Sequence, residues 1–526
     1  MPRFWSGLFR AAGLLESLGV YLPAAGLTRL VGLGRALLLI WLLPVEEFGL
    51  LSVALLVVNV AQPLCSLGLN EAIARYVPHH EARGSLLPFV RRGGALVLAA
   101  GLILTALLAV GGPFVGEALL GSRLVEAAYP TQSSQRLGAL VGISAAATLS
   151  LIAYWLVGSV LRGLRLFRAL SVMELTSSVL FAALAVGAVL GGWRSAEAIL
   201  GCYLLSVLAP GLVFGLGCLR QLSSWPGQRD DRADGTRRRL LTYGLWLAGA
   251  TVMWQLLQYW PMWYLNKAGS KELTAVYAGV RVIAQLVMVA AGAMTAVVAA
   301  VVTRTWETRG AEAAEGQLRL AIKTIGLGLL SMCGAASLCR TWLIGLFPAE
   351  YEAGGAILPV LLGNFMAVGM VGLLVVWFGL IEKTVCTLAV YAAGTLCNVW
   401  FGLHFMGAAS GAYWGQAGFL TVGVGNLLPA AAWTGMLAAV CAAAVCLCIL
   451  RVVGRPLDAG TVLISLSALL LGLRWEIMLT GAVLLVLTSW ASAIILSRDE
   501  KQLIRTHLVG AIRLLRRNRQ DRFQTQ

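Results

Sequence analysis

Residues 35–78 read RALLLIWLLPVEEFGLLSVALLVVNVAQPLCSLGLNEAIARYVP. Two apolar runs meet there at a join that carries Pro44, Glu46 and Glu47. Extended to their limits, the runs cover 20–43 and 47–69. Each reaches the ~20 residues a helix needs to cross ~30 Å of hydrocarbon. Neither alternates with the period of two that marks a half-buried strand. Backbone amides inside lipid must be satisfied within their own segment, which leaves the helix.

The same pattern repeats outward. Further spans are expected at 94–116, 137–161, 169–191, 196–220, 240–265, 273–302, 319–346, 354–380 and 383–405. The chain of 526 residues is 59% hydrophobic and only 12% charged. A soluble domain carries about 25% charged residues and could not cover so apolar a surface. The predicted class is therefore an all-α, polytopic membrane protein.

The net charge is +16, but the basic residues cluster in short connections between apolar runs. Arg75, Arg83, Arg91 and Arg92 follow the second span, Arg162, Arg165 and Arg168 the fourth, and Arg220 to Arg239 the sixth. The odd-numbered connections are poorer in cations and hold Glu46, Glu47, Glu350 and Glu352. This positive-inside pattern places the even connections and both termini in the cytoplasm. It argues against nucleic acid as a partner. No cleavable signal peptide is evident. Residues 1–19, with Arg3 and Arg10 among aromatic and aliphatic neighbours, read as an amphipathic surface segment. The ten cysteines fall almost entirely inside apolar runs without metal-ligand spacing, and read as packing residues.

Residues 408–497 divide less cleanly. Apolar stretches at 408–428, 430–453, 459–474 and 476–497 would give fifteen spans and put the basic tail outside. About fourteen spans are therefore expected, with one stretch in 408–453 irregular. Gly425 to Pro429 (GNLLP) is the expected break. The predicted organisation is an N-terminal lobe of six spans over 1–220, a polar cytoplasmic linker over 221–239, and a second lobe over 240–455. Additional spans follow over 456–497, and a basic amphipathic tail over 498–526.

The lobes show a weak internal repeat. The outer join from Trp41 aligns with that from Trp263, pairing Gly49 with Ala275, Leu51 with Tyr277 and Asn59 with Gln285. Both joins run from an odd to an even span, so the repeat would be parallel.

With these residues in place, the chain resembles the polysaccharide and oligosaccharide flippases (Wzx-like) of the multidrug/oligosaccharidyl-lipid/polysaccharide (MOP) exporter superfamily. The resemblance rests on Arg35 in the first span, the Glu46-Glu47-Phe48-Gly49 turn, and Gly68-Leu69 leading to Arg75-Tyr76. Val276-Tyr277-Ala278, Phe347-Pro348-Ala349-Glu350-Tyr351 and Gly407 to Ala412 extend it to the twelfth span. The resemblance implies two six-helix bundles around a central cavity, rocking between inward and outward access. It implies a lipid-linked oligosaccharide as cargo, with the bilayer and other polysaccharide-assembly proteins as partners. The stretch 413–453 departs from it by being longer than the family's twelfth span.

A flippase for such a cargo must neutralise phosphate within the membrane. An arginine at the bilayer centre costs ~2.5–3.5 kcal/mol on insertion scales, so it should face a cavity. Its planar fork suits phosphate. Arg35 lies mid-span with no carboxylate nearby in sequence, while Arg29 is nearer the cytoplasmic end and can snorkel. Arg281 belongs to a stripe with Tyr277 and Gln285 at helical spacing. Asn59 and Gln62 make a similar pair, and Gln255 and Gln258 stand among the aromatic residues of span seven, suited to sugar hydroxyls. The competing reading for each is a helix–helix contact.

Glu174 is the clearest acid within a span. It is the candidate for H+ or Na+ coupling, against an ion pair with Arg162, Arg165 or Arg168. No cofactor, metal or catalytic residue is expected. His79, His80, His404 and His507 form no motif with an acid, and no long loop is present to house an enzyme site. The alternatives weighed are a MATE-like cation-coupled drug or metabolite antiporter, which should hold several buried carboxylates, and a membrane-embedded glycan-handling enzyme.

Overall fold

The computed structural model describes residues 14–82, 84–111, 133–164, 166–223, 234–268, 271–381, 383–406, 427–455, 457–491, 495–497 and 500–502. Every regular element among them is helical. In chain order these are α1 (Leu14–Leu42), α2 (Val45–Cys65), α3 (Leu69–Ala82), α4 (Leu86–Val110) and α5 (Ser133–Gly163). They continue with α6 (Phe167–Leu190), α7 (Ala196–Ser223), α8 (Asp234–Ala268), α9 (Lys271–Arg309) and α10 (Ala311–Leu338). The last are α11 (Leu358–Leu374), α12 (Thr384–Phe401), α13 (Leu427–Val452), α14 (Ala459–Leu466) and α15 (Trp475–Ala491).

Ten of the described helices are long and apolar enough to cross a membrane, and the chain is a multi-pass membrane protein. Large side chains such as Leu102, Ile103, Leu107 and Leu487 point outward. Lipid solvates such residues directly, so their exposure carries no penalty in a bilayer.

Three expectations are adjusted. The second span ends at Cys65 rather than running to 69. Leu67 and Gly68 then adopt left-handed φ values of 50° and 63°, and the polar helix α3 follows, which the span search passed over. Secondly, the apolar stretch 459–474 is not one α-helix: α14 tightens at Ser467 into a 3₁₀ turn ending at Gly472. Thirdly, the polar linker is shorter than 221–239, because α7 runs to Ser223 and α8 starts at Asp234. Helices continue past the apolar stretch wherever polar side chains can reach water. Near the expected GNLLP break the described chain resumes at Leu427, with Pro429 in the first turn of α13, where its missing N–H costs nothing. Residues 1–13, 224–233, 407–426 and 503–526 lie outside the described residues. With them lie the amphipathic start, most of the linker, the Gly407–Ala412 motif and the tail beyond Gln502.

The chain forms two compact units. The first comprises Met1–Leu286, Arg340–Leu358 and Lys383–Ala438, and the second Val287–Cys339, Pro359–Glu382 and Ala439–Gln526. In the first unit α7 packs on α5 and α6, α1 on α6, and α8 on α2, α3 and α12. Ile73, Val77, Leu161, Leu170 and Leu222 fill its core. Arg136 ties three helix starts together. Its guanidinium binds Glu47 of α2 at 2.7 Å and also pairs with Glu197 of α7. Glu47 additionally accepts the Ala196 backbone amide at 2.8 Å, placing its charge against a helix N-terminus. The acidic turn of the family-like motif is thus a structural tie.

Gly68 makes a close backbone approach in this unit. A Cβ there would lie 2.7 Å from the Ala248 amide nitrogen, and Gly244 meets the Leu67 carbonyl oxygen at 2.8 Å in the same way. The turn and α8 touch backbone to backbone. Gly68→Val is expected to destabilise the protein by more than the ~1–2 kcal/mol that a left-handed conformation alone costs. A drop in melting temperature in detergent would register this, and an unchanged melt would contradict the packing.

In the second unit, α10 carries two buried charges with partners. Lys323 is 2% exposed and contacts Asp458 at 2.5 Å and Glu500 at 2.9 Å. Glu315 pairs with Arg455 at 2.5 Å, and Arg455 lies over the Trp306 ring. These bonds fasten the segments before α14 and after α15 to α10.

Candidate functional site

Both mid-span arginines lie in the first unit, and each is held on an aromatic ring. The Arg35 guanidinium of α1 stacks on the Phe181 ring of α6, 4.2 Å from its centroid. Phe181 meets Tyr203 of α7 edge to face at 5.2 Å. Tyr203 interacts electrostatically with both Arg35 and Tyr259 of α8. The Arg281 guanidinium of α9 covers the Tyr259 ring at 3.8 Å. Tyr277 stands one turn before Arg281 and is fully buried. Two arginine–aromatic groups, Arg35 with Phe181 and Tyr203, and Arg281 with Tyr259, thus lie within electrostatic range of each other.

Arg35, Tyr203 and Tyr259 are each half-buried. Arg281 is 4% exposed. Among the described residues Arg35 forms no ion pair. A ring face attracts a guanidinium by about 0.5–2 kcal/mol without cancelling its charge. That offsets only part of the ~2.5–3.5 kcal/mol cost of an arginine in the membrane. The remainder is available to an incoming anion.

The other candidates divide. Gln258, beside Tyr259 on α8, is buried, and Gln255 one turn earlier is half-buried. Gln285 continues the Tyr277–Arg281 stripe and is half-buried. Asn59 donates to the Leu55 carbonyl of its own helix at 2.8 Å, so its amide is engaged locally; Gln62 is half-buried one turn on. Arg29 is exposed. Glu174 is half-buried and interacts electrostatically with Arg162 and Arg29. Phe181 and Tyr203 were not singled out from sequence. An aromatic residue in an aliphatic span carries no mark of what it faces. Among the described residues, no group of three metal-ligating side chains occurs.

The family model described as Polysaccharide biosynthesis protein matches residues 14–303, more than half of the chain. No curated protein matches the sequence. Among solved structures, the chain is similar to the lipid II flippase MurJ in an inward closed conformation. The TM-score is 0.61 at 14% identity, covering 93% of this chain and 99% of that one. It is also similar to a MOP superfamily transporter from Pyrococcus furiosus, for which a binding pocket of reverse polarity suggests a different function. There the TM-score is 0.60 at 15% identity, covering 87% and 100% of the two chains. A MATE transporter from Vibrio cholerae gives a TM-score of 0.57 at 17% identity, covering 85% and 98%. At these identities the likeness is one of fold.

Proposed function

The chain belongs to the polysaccharide biosynthesis protein family, and from that membership we propose that it flips a lipid-linked oligosaccharide across the cytoplasmic membrane by alternating access. The observation that carries the reading is the pair of arginines held on aromatic faces inside the first unit. Arg35 and Arg281 would receive the phosphate groups, each through the two parallel N–H donors of its fork. Gln255, Gln258 and Gln285 would bond sugar hydroxyls, and the Tyr203 and Tyr259 rings would offer stacking faces. The protein makes and breaks no covalent bond in this scheme. It supplies an interior in which the headgroup exchanges water for fixed donors.

In the same reading, residues 1–220 and 240–455 act as the two lobes, 456–497 as appended spans, and both termini face the cytoplasm. The fold shared with a lipid II flippase supports this cargo class. A MATE-like antiporter remains the rival, since MATE structures share the fold. Glu174 would then be its coupling group, and its closeness to Arg162 and Arg29 argues instead for a structural role.

The test is reconstitution into proteoliposomes with a fluorescent polyprenyl-diphosphate oligosaccharide, scored by a membrane-impermeant quencher. Protein-dependent flipping is expected. Failure to move the glycolipid, together with proton-driven uptake of organic cations, would overturn the reading in favour of the antiporter.

A further inference from the structure

We infer that the connection Arg340–Leu358 is a strap seated on the turn of α9 that carries Arg281, and that it must leave this seat once in each transport cycle. The inference rests on the flippase reading for the cargo, but its evidence is separate. The connection carries the FPAEY motif, Phe347 to Tyr351. Its contacts lie in the first unit, while the helices on either side of it in sequence, α10 and α11, belong chiefly to the second.

The seat is built to the shape of the strap. Tyr351 is fully buried, and its ring presses on Gly279 of α9 so closely that a Cβ there would lie 2.6 Å from the ring. Phe347 packs against Tyr351 with ring centroids 5.7 Å apart. Gly354 lies against Val280, again with no room for a Cβ. At the end of α1, the Trp41 indole N–H donates to the Leu346 carbonyl at 2.7 Å. Gly279 and Val280 immediately precede Arg281, so the strap grips the turn of α9 that carries a cargo arginine. Val280, which an added Cβ on Gly354 would meet, thus stands next to Arg281 on the same turn of α9.

One feature of the seat separates a moving strap from a permanent tie. The Tyr351 hydroxyl is buried without a hydrogen-bond partner among the described residues. Burying an unpaired hydroxyl is unfavourable, and phenylalanine would fill the same space without that penalty. A hydroxyl unsatisfied in the seated state is satisfied by water or headgroup once the strap is displaced. Tyr351 thus lowers the free-energy difference between the two states, as an element that switches in each cycle requires.

The decisive experiment is a reversible lock. A Cβ built on Gly354 lies 3.6 Å from the Val280 Cβ, within the range of disulfide-bonded pairs. Val280→Cys also removes the methyl that would collide with the new side chain. The double variant Val280→Cys/Gly354→Cys is made in a background where the exposed Cys339 and Cys448 are serine. Oxidation is expected to reduce glycolipid flipping in proteoliposomes by roughly tenfold or more, and reduction to restore it, as for a gate held shut. A fully cross-linked protein that flips at the reduced protein's rate would overturn the strap. Loss of glycolipid flipping in the reduced and the unsubstituted proteins alike would instead count against the cargo reading, and the lock is then scored on the cargo that is moved. Where the cross-link does not form, Tyr351→Phe decides. It is expected to raise the melting temperature while slowing transport, whereas a merely structural tyrosine would leave the transport rate unchanged.

Discussion

Arg35→Ala and Arg281→Ala are each expected to cut glycolipid transport roughly ten- to a hundredfold while the protein reaches the membrane at normal levels. Loss of one charge-assisted hydrogen-bonding group removes about 1.5–3 kcal/mol, or roughly ten- to a hundredfold. The loss falls on the step in which the headgroup is out of water, so no alternative solvation compensates it. Lysine should rescue only partly, because it lacks the two-donor fork. Arg29→Ala is the control: the residue is exposed, outside both arginine–aromatic groups, and its loss should leave most of the activity. The measurement is quencher-scored flipping in proteoliposomes, alongside membrane abundance in cells. Full activity in both alanine variants would remove the phosphate-binding role. Tyr259 and Phe181 bear on the same prediction, since their rings hold the guanidinium groups in place. Their alanine variants should weaken transport less than loss of the arginines themselves.

Lys323→Met is expected to produce the largest loss of stability. The ammonium is buried between Asp458 and Glu500, and its removal leaves two carboxylates facing each other. Breaking a buried pair by deleting one partner costs about 3–5 kcal/mol. A marked fall in melting temperature in detergent is expected, with partial recovery in Lys323→Met/Asp458→Asn. An unchanged melt would show that the cluster carries no net energy.

The same cluster sets a pH dependence. Burial alone would raise the Asp458 carboxyl, but the hydrogen bonds from Lys323 and Thr461 outweigh it and hold the group below its ordinary range. A carboxyl depressed on folding stabilises the native state above its unfolded value of about 3.9, and this stabilisation is lost as pH falls through the folded value. The melting temperature should therefore hold from neutral pH to about pH 5 as far as this group is concerned, and fall below about pH 4. The Lys323→Met protein should lack the step that Asp458 contributes.

The membrane class was legible from residues 35–78 onward, because hydrophobic length is a local property. So was the helical alternative to strands, and the acidic turn at Glu46 and Glu47. Arg35 and Arg281 could be nominated for a similar reason. A cation in an apolar run is conspicuous wherever the chain later places it. The glutamines of α8 were nominated on residue type alone, and Asn59 shows the limit of that method, since its amide bonds a carbonyl of its own helix.

Other features depended on contacts distant in sequence. Nothing in the span around Tyr203 indicated that it would meet Phe181 and interact with Arg35. The α2–α3 break needed the packing of α8 on Gly68, which no local pattern encodes. The FPAEY motif could be recognised as a motif, but not as a buried plug on Gly279. By itself, the sequence determined that this protein is a bundle of membrane helices with a few costly arginines inside it, since burial in lipid is governed by composition over one span. Only the tertiary structure decided which aromatic rings those arginines meet, because the packing of several helices, and not any one of them, determines which side chains touch.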